Sequence, residues 1–512
     1  MLSTESAATV RATVPAVAGA LDTITARFYD TMLGERPELL DGLFNRGNQA
    51  SGEQRRALAG SIAAFATLLL EHPDERPDVL LSRIAHKHVS LGVTEDQYVI
   101  VHKYLFDAIA STLGDAATPA VVRAWDEVYW LMAGALIALE ARLYAERGHT
   151  GRGVWRPWRV TRRRQETPDT ASLTLQPEDG DPLPAFLPGQ YVSVRTRMPD
   201  GVRQARQYSL TGGDGESRRI TVKRLRAVGT DPAGEVSTLL HDTVVPGDVL
   251  MVSTPAGDVT LSEGDHPLVL ASAGIGCTPM VAMLNRLAEQ GSDRRVVVLH
   301  ADRSPGEHAH REETAALVGA LPGASARTWY ENGVDGGDGV EAVEGGGGGG
   351  DGAEGGGCVG DVESVGGAVR GLMDLDGVDL PEGAEVYLCG PLPFMRNVRG
   401  QLACRRGARP PYPLRGVRPG SVAGRGLSAW ACSEGAEWKG SGLFLLPFDA
   451  QAAGGGRGSG TSCRETVRFA VNARGREMVD LCCGGSEGGG CLGRRSTPWL
   501  RVVAGGGVAS CR

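Results

Sequence analysis

With 512 residues the chain is too long for one hydrophobic core, and domain-size scaling points to about three folded units plus extra sequence. Its formal net charge of −8 is unevenly spread: from Ala403 onward there are 16 Lys plus Arg against 7 Asp plus Glu, a net of +9, leaving 37 against 54 before it, a net of −17. No uninterrupted apolar run approaches the ~20 residues of a bilayer span, and the first 21 residues lack the basic start and cleavage site of a signal peptide, so a cytoplasmic protein without a membrane span is expected.

Residues 1–148 read as all helical, with apolar side chains at three- and four-residue spacing. Val121 to Tyr144 is the clearest stretch, where Trp125, Val128, Leu131, Met132, Leu136, Leu139 and Leu143 recur at helical period. From Trp155 the pattern changes to short strands between Pro and Gly. Ala171-Ser-Leu-Thr-Leu, Gln190-Tyr-Val-Ser-Val and Arg219-Ile-Thr-Val-Lys predict a small antiparallel barrel over 153–262. Near Pro267 an apolar strand, a Gly turn and a helix precede Arg295-Val-Val-Val-Leu-His. That alternation predicts a parallel doubly wound α/β domain over 266–402. Within it, 333–367 is mostly Gly with scattered acids, too poor in apolar side chains to pack, and reads as a flexible insertion.

Two histidines in Arg83-Ile-Ala-His-Lys-His-Val-Ser stand at i and i+2, on roughly opposite helix faces, so His86 and His88 cannot both address one metal ion. By itself a helical histidine is most often a surface residue. Its company is specific: Arg27-Phe-Tyr-Asp, Leu43-Phe-Asn-Arg-Gly-Asn-Gln, Gly52-Glu-Gln-Arg-Arg-Ala-Leu, Ala85-His-Lys-His-Val-Ser and Gln97-Tyr-Val-Ile-Val resemble, in order and spacing, the globin domain of flavohaemoglobins. The resemblance covers 1–148 and implies haem b, with His88 as the proximal iron ligand and Tyr98 and Glu140 supporting it. A carboxylate on the ligand's other nitrogen makes the imidazole more electron-rich. It further implies Lys87 as a neighbour that tunes the haem, Tyr29 as a distal hydrogen-bond donor to bound dioxygen with Gln54 beside it, and Phe44 and Leu58 packing the ring. For Tyr29, Phe44 and Leu58, ordinary helical core is the competing reading.

A flavin site needs a cation for pyrophosphate, an aromatic ring and a hydroxyl near N5. Arg206-Gln207-Tyr208-Ser209 offers all three, and strand alternation puts Arg206 and Tyr208 on one face. Pro188-Gly-Gln-Tyr adds Tyr191. Gly234-Glu-Val-Ser237 reads as a helix start whose N–H groups face pyrophosphate. The ordered set resembles the ferredoxin-reductase type of FAD domain. Ser272-Ala-Gly274-Ile275-Gly276-Cys277-Thr278-Pro279-Met follows a strand and opens a helix, as a dinucleotide turn requires. With Tyr387-Leu-Cys389-Gly390-Pro391 it resembles the NAD(P)H-binding half of the same reductases. Cys389 there implies a positional contact near nicotinamide, and Cys277 replaces a residue that is often polar.

Beyond Leu402 the resemblance ends. Seven of the ten cysteines lie there, and 15 of its 16 basic residues are Arg. Codons can be written for Pro413-Leu-Arg-Gly-Val-Arg-Pro-Gly-Ser-Val-Ala that, read one nucleotide later, spell Arg-Tyr-Glu-Val-Phe-Gly-Pro-Asp-Leu-Trp, the kind of aromatic terminus that covers flavin in the family. The tail 403–512 therefore reads as out-of-frame and disordered, against a basic arm for nucleic acid as the alternative. The implied whole is an NAD(P)H-dependent nitric oxide dioxygenase, with O2 and NO as small-molecule partners, no nucleic acid, and a monomeric state. The alternatives are a haem-based oxygen or NO sensor, an electron-donating reductase, and a reductase impaired at its C-terminus. Sequencing the gene across codons 402–423 tests the frame: the next frame is expected to encode that terminus, and its absence refutes the shift.

Overall fold

The computed structural model describes residues 1–333 apart from 42, 45, 47–52, 75–77, 149–151, 182, 184 and 230–231, then 368–404, and further on the strands 414–417, 446–449, 466–471 and 477–478. Most of the Gly-rich stretch, 334–367, lies outside the described residues.

The first unit is helical: α1 (Thr4–Glu35), α2 (Glu53–Glu71), α3 (Asp78–Leu91), α4 (Glu95–Leu113) and α5 (Pro119–Glu146). Local chemistry sets the ends. Ser3 Oγ accepts from the Ser6 N–H at 3.2 Å to cap α1, and the Thr94 N–H donates to Gln97 Oε1 at 3.1 Å at the start of α4. Thr118 caps α5 with Pro119 in its first turn, where the missing N–H costs nothing. The helices enclose two apolar clusters, one around Val17, Phe65, Leu81, Trp125 and Val128, the other around Ile24, Phe28, Met32, Leu105 and Ile109.

Among the described residues one helix, α5, is long and apolar enough by length and composition to cross a membrane, although it holds no unbroken apolar run near 20 residues. Its apolar run Val128–Leu139 stops at Glu140, with Arg142 following, so a search for unbroken apolar runs does not find it. Here the helix is a core element: Trp125, Val128 and Leu136 face the cluster, and Trp125 Nε1 donates to Thr13 Oγ1 at 3.0 Å.

The second unit is a closed antiparallel barrel in the order β1 (Trp155–Thr167), β2 (Thr170–Pro177), β5 (Arg218–Lys223), β4 (Arg203–Gly212), β3 (Tyr191–Arg197), β6 (Val249–Ser253). Closure leaves no free edge. Helix α6 (Glu235–Thr243) packs Val236 and Leu240 onto its interior, filled by Leu173, Val192, Val194, Leu210 and Ile220.

The third unit is a parallel sheet ordered β10 (Ala368–Arg370), β9 (Ala324–Tyr330), β8 (Val296–Asp302), β7 (Leu268–Ala273), β11 (Glu385–Cys389), β12 (Leu414–Val417), with helices α7 (Cys277–Glu289), α8 (Arg311–Ala320) and α9 (Leu392–Cys404). The chain order reverses between β7 and β11, a topological switch point whose crevice opens at their C-terminal ends. Strand β7 is apolar throughout because both its faces are covered: Leu268 and Leu270 meet Met283 and Leu284 of α7, while Val269 and Ala271 lie in the cluster with Val398 and Leu402 of α9.

The described residues beyond 404 are strands, which corrects for them the expectation of a disordered tail. β12 pairs in parallel with β11, and β13 (Leu446–Asp449), β14 (Thr466–Val471) and β15 (Glu477–Met478) form a small antiparallel sheet. The edge of β11 presents backbone donors and acceptors that an extended segment of almost any composition can satisfy.

In the third unit His308 is buried, stacks on His300 with ring centroids 3.9 Å apart, and hydrogen-bonds the Tyr330 hydroxyl through Nδ1 at 2.9 Å. Burial, helped by repulsion from His300 and Arg311, pushes its pKa from 6.5 down to about 2. The unfolded histidine takes a proton below about 6.5 and the folded one does not, so stability falls as pH drops below 6.5, by about 1.4 kcal/mol per pH unit. Urea unfolding followed by Trp329 fluorescence is expected to show a loss of about 2 kcal/mol between pH 6.5 and 5, reduced in His308→Asn; an equal acid loss in the variant refutes this cause.

Candidate functional site

An apolar cavity of about 310 Å³ lies between α1, α2, α3, α4 and α5. Its walls include Phe28, Met32, Phe44, Leu58, Ile84 and Val101, with Tyr29, Gln54, His88 and Tyr98 as polar groups. Helix α3 presents His88 to it. The ring Nδ1 lies 2.8 Å from Glu140 Oε1 and 3.0 Å from the Tyr98 hydroxyl, and Tyr98 donates to the same carboxylate oxygen at 2.5 Å. Glu140 is a buried acid on apolar α5, and burial beside it pushes the Tyr98 phenol far up. A carboxylate can only accept from Nδ1–H, so that nitrogen carries the proton and Nε2 keeps its lone pair. An imidazole in that tautomer facing an apolar cavity fits an iron porphyrin.

Across the cavity Tyr29 is buried on α1 and hydrogen-bonded to Gln54, and burial raises its phenol pKa far above the usual value. It is a neutral hydrogen-bond donor, with Phe44 edge-on at 5.9 Å. Phe44 and Leu58 line the cavity and pack against its second apolar cluster, so the core and pocket readings describe one arrangement.

Lys87 is not among the cavity-lining residues. Its ammonium donates to Gln207 Oε1 on β4 of the barrel. Gln207 Nε2 in turn donates to Ser193 Oγ at 2.8 Å, and Ser193 reaches Ser90 on α3 at 3.0 Å. His86, on the other side of α3, accepts from the Gly257 N–H at 3.0 Å. At the rim Arg203 pairs with Asp41 at 2.8 Å, and Arg46 pairs with Asp200 and, at 3.1 Å, Glu235. His86, Ser90, Ser193 and these ion pairs carry no sequence signal, since each type is commonplace on a solvated surface.

Register splits the flavin candidates between two faces. Val192 pairs with Tyr208 and Val194 with Arg206, while Tyr191 pairs with Ser209 and Ser193 with Gln207. Arg206 is buried, and its neutral acceptors are the Ala205 carbonyl at 2.9 Å and Gln204 Oε1 at 3.4 Å. Burial pulls its pKa down, so a phosphate anion suits this cation. Ser237 Oγ accepts from the Leu225 N–H at 3.3 Å and donates to the Gly234 carbonyl at 3.2 Å, closing the loop before α6; a Cβ on Gly234 would sit 2.6 Å from that hydroxyl.

At the switch point Gly274, Ile275 and Gly276 form a single turn leading into α7, which contains Cys277, Thr278 and Pro279. A Cβ on Gly276 would collide with the Cys389 carbonyl, so glycine is what lets this turn meet the Cys389-Gly390-Pro391 loop. Thr278 Oγ1 donates to the Ile275 carbonyl at 2.9 Å, and the buried Cys277 thiol points to the Ala309 carbonyl at 3.6 Å. Burial pushes both cysteine thiols up, so neither is a thiolate. The convergence of backbone N–H groups at the start of α7 fits a dinucleotide phosphate.

A globin family model matches residues 26–136, and a model described as an oxidoreductase NAD-binding domain matches 270–342. A flavohemoprotein of Bordetella pertussis is 42% identical over 418 residues, covering 79% of this chain and 95% of the relative. This chain belongs to the flavohaemoglobin family. A flavohemoprotein of Deinococcus radiodurans is 40% identical, covering 78% and 93%. The crystal structure of a flavohemoglobin from Malassezia yamatoensis, with bound FAD and haem, superposes with a TM-score of 0.70 at 38% identity, covering 81% of this chain and 99% of that one. As in a flavohaemoglobin, the helical unit, barrel and parallel sheet follow one another in one chain, making a haem and flavin oxidoreductase.

Removing the Glu140 charge tests the His88–Glu140–Tyr98 arrangement. Glu140→Gln is expected to weaken haem retention or turnover roughly 10- to 100-fold, and Tyr98→Phe less, measured by haem transfer to apomyoglobin and by turnover. Unchanged retention and turnover in Glu140→Gln would show that the carboxylate does not act on His88.

Proposed function

We propose that the chain is an NAD(P)H-dependent nitric oxide dioxygenase. The observation that carries the reading is that one helix, α3, presents His88 to the apolar cavity while its next-door Lys87 is bonded to the flavin-strand residue Gln207. When bound in the cavity beside His88, haem would supply an iron centre for the O2 and nitric oxide chemistry, and FAD on the barrel would supply the exchange between a two-electron hydride donor and a one-electron acceptor.

The residues divide the work. Glu140 holds the proton on His88 Nδ1 and keeps Nε2 basic, which favours electron donation over reversible oxygen storage. Tyr29, kept neutral by burial and oriented by Gln54, offers its hydroxyl proton to a bound oxygen ligand. Apolar walls exclude water while admitting small uncharged gases. Arg206 would hold the flavin pyrophosphate, Tyr191, Tyr208 and Ser209 would contact its ring system, and the Gly274–Gly276 turn with Cys389-Gly390 would seat the nucleotide. A globin that lacked such a reductase would stop in the ferric state after one turnover.

The test is NADH- and NADPH-driven nitric oxide consumption by the purified full chain supplied with haem and FAD. Consumption with nitrate as product is expected, together with its loss in His88→Ala while NADH-dependent ferricyanide reduction persists. Oxygen binding without NO consumption would favour a sensor, and NO consumption unaffected by His88→Ala would reject the haem assignment.

A further inference from the structure

Between the barrel and the parallel-sheet unit runs a hydrogen-bonded chain of side chains that the reading above does not use. Ser172 on β2 donates to Glu166 Oε1 on β1 at 2.5 Å, and its Oγ lies 2.9 Å from Thr221 Oγ1 on β5. Thr221 is 2.8 Å from Nε2 of His310, whose Nδ1 is 2.8 Å from Glu313 Oε2 on α8. His310 is 2% exposed and sits at φ 58°, a left-handed conformation found at no other non-glycine among the described residues. Such a conformation is strained for a residue with a side chain and persists where surrounding contacts hold it.

Counting protons along this chain assigns a charge. The contacts Glu166–Ser172, Ser172–Thr221 and Thr221–His310 need three protons, and the two hydroxyls supply only two. Arg164 donates to both Glu166 oxygens, at 2.9 Å each, which holds that acid as carboxylate. The third proton therefore sits on His310 Nε2. Its Nδ1 is protonated as well, because Glu313 is an acceptor: burial alone would raise the Glu313 pKa, but hydrogen bonds from His310 and Arg219 bring it well below the usual range. The imidazolium is flanked by Glu313 and by Glu166, whose Oε1 is 3.9 Å from Nδ1, with Arg164 on β1, Arg219 on β5, and His308 and Arg311 on its own segment as the surrounding cationic or titratable groups.

The far end of the chain lands on the flavin strand. Arg219, paired with Glu313, donates to Thr211 Oγ1 and to the Thr211 carbonyl, both at 3.0 Å, and Asn285 of α7 donates to the Thr211 carbonyl and to Glu313 Oε1, both at 3.3 Å. Thr211 is two residues beyond Ser209 on β4, at the irregularity in the β4–β5 register between Leu210 and Gly212. Helix α7 is also the helix opened by the Gly274–Gly276 turn.

We propose that His310 is a positioning residue for hydride transfer, a doubly protonated imidazole that pins the nucleotide-binding sheet to the flavin barrel through Thr221 and Glu313. The proposal rests on the reading that a nucleotide on the sheet reduces a flavin on the barrel.

The experiment uses the full chain loaded with FAD and follows anaerobic flavin reduction by NADH in a stopped-flow instrument. Thr221→Val removes the pin from the barrel side and leaves the strained residue untouched; His310→Phe removes it from the other side. Each is expected to slow flavin reduction at saturating NADH at least about tenfold with FAD content and dithionite reduction unchanged, and the double variant to be no slower than either. His310→Asn, which tolerates the left-handed conformation and keeps a donor toward Glu313, is expected to recover part of the rate. Wild-type chain labelled with 15N-histidine is expected to show both His310 ring nitrogens protonated at pH 7. Unchanged reduction rates in FAD-replete Thr221→Val, or an unprotonated Nε2, overturns the proposal. If wild-type flavin takes no hydride from NADH or NADPH, the functional reading fails instead, and the ring-nitrogen signals still decide the pin.

Discussion

The join between the helical unit and the barrel depends on the 100° turn per residue of one helix. Along Asp78–Leu91, His86 reaches a backbone N–H beside the barrel, Lys87 reaches Gln207 on β4, His88 enters the apolar cavity, and Ser90 returns to the barrel. Four nearby residues therefore serve two domains because a helix sends consecutive side chains in different directions. The same geometry keeps His86 from reaching the cavity, and it ties the position of the His88 imidazole to the position of the barrel.

The cost of that design is polar groups in apolar places. Glu140 is buried on the most apolar helix of the chain, and it is tolerated because Nδ1 of His88 and the Tyr98 hydroxyl both direct protons at it. The barrel and parallel sheet meet by the same means: Glu313 receives His310, Arg219 and Asn285, and no one of those bonds would compensate for burying the carboxylate. Buried charge with several partners specifies one relative orientation more sharply than apolar contact does, since a shift of an ångström breaks directional bonds but only slides methyl groups.

Much of the architecture was legible in the chain because the three units use different repeat patterns. The stretch Val121–Tyr144 falls within one helix, the apolar runs before Gly274 and after Arg295 are adjacent parallel strands, and the alternation that puts Arg206 and Tyr208 on one face is the observed register. Other features were hidden for definite reasons. Glu140 and Arg142 broke the apolar run of α5, and Glu140 turns out to be buried against His88 and Tyr98. Lys87, read as a neighbour of the haem, turns to Gln207 because position along the chain does not specify direction around the helix axis relative to a second domain. The tail's poor composition argued against structure, yet Leu414–Val417 can pair through backbone groups that composition does not describe.

By itself the sequence determined the order of the three units, the identity of the histidine, arginine and glycine motifs, and the point near Leu402 where family likeness ends, because these depend on residue types at fixed local spacing. Only the tertiary structure decided which nitrogen of His88 is protonated, which glycine must stay bare against Cys389, and how Glu166, Ser172, Thr221, His310 and Glu313 come into one line. Those facts join residues as far as 147 positions apart in the chain, and hydrogen bonds are made by distance and direction in space, which no local pattern encodes.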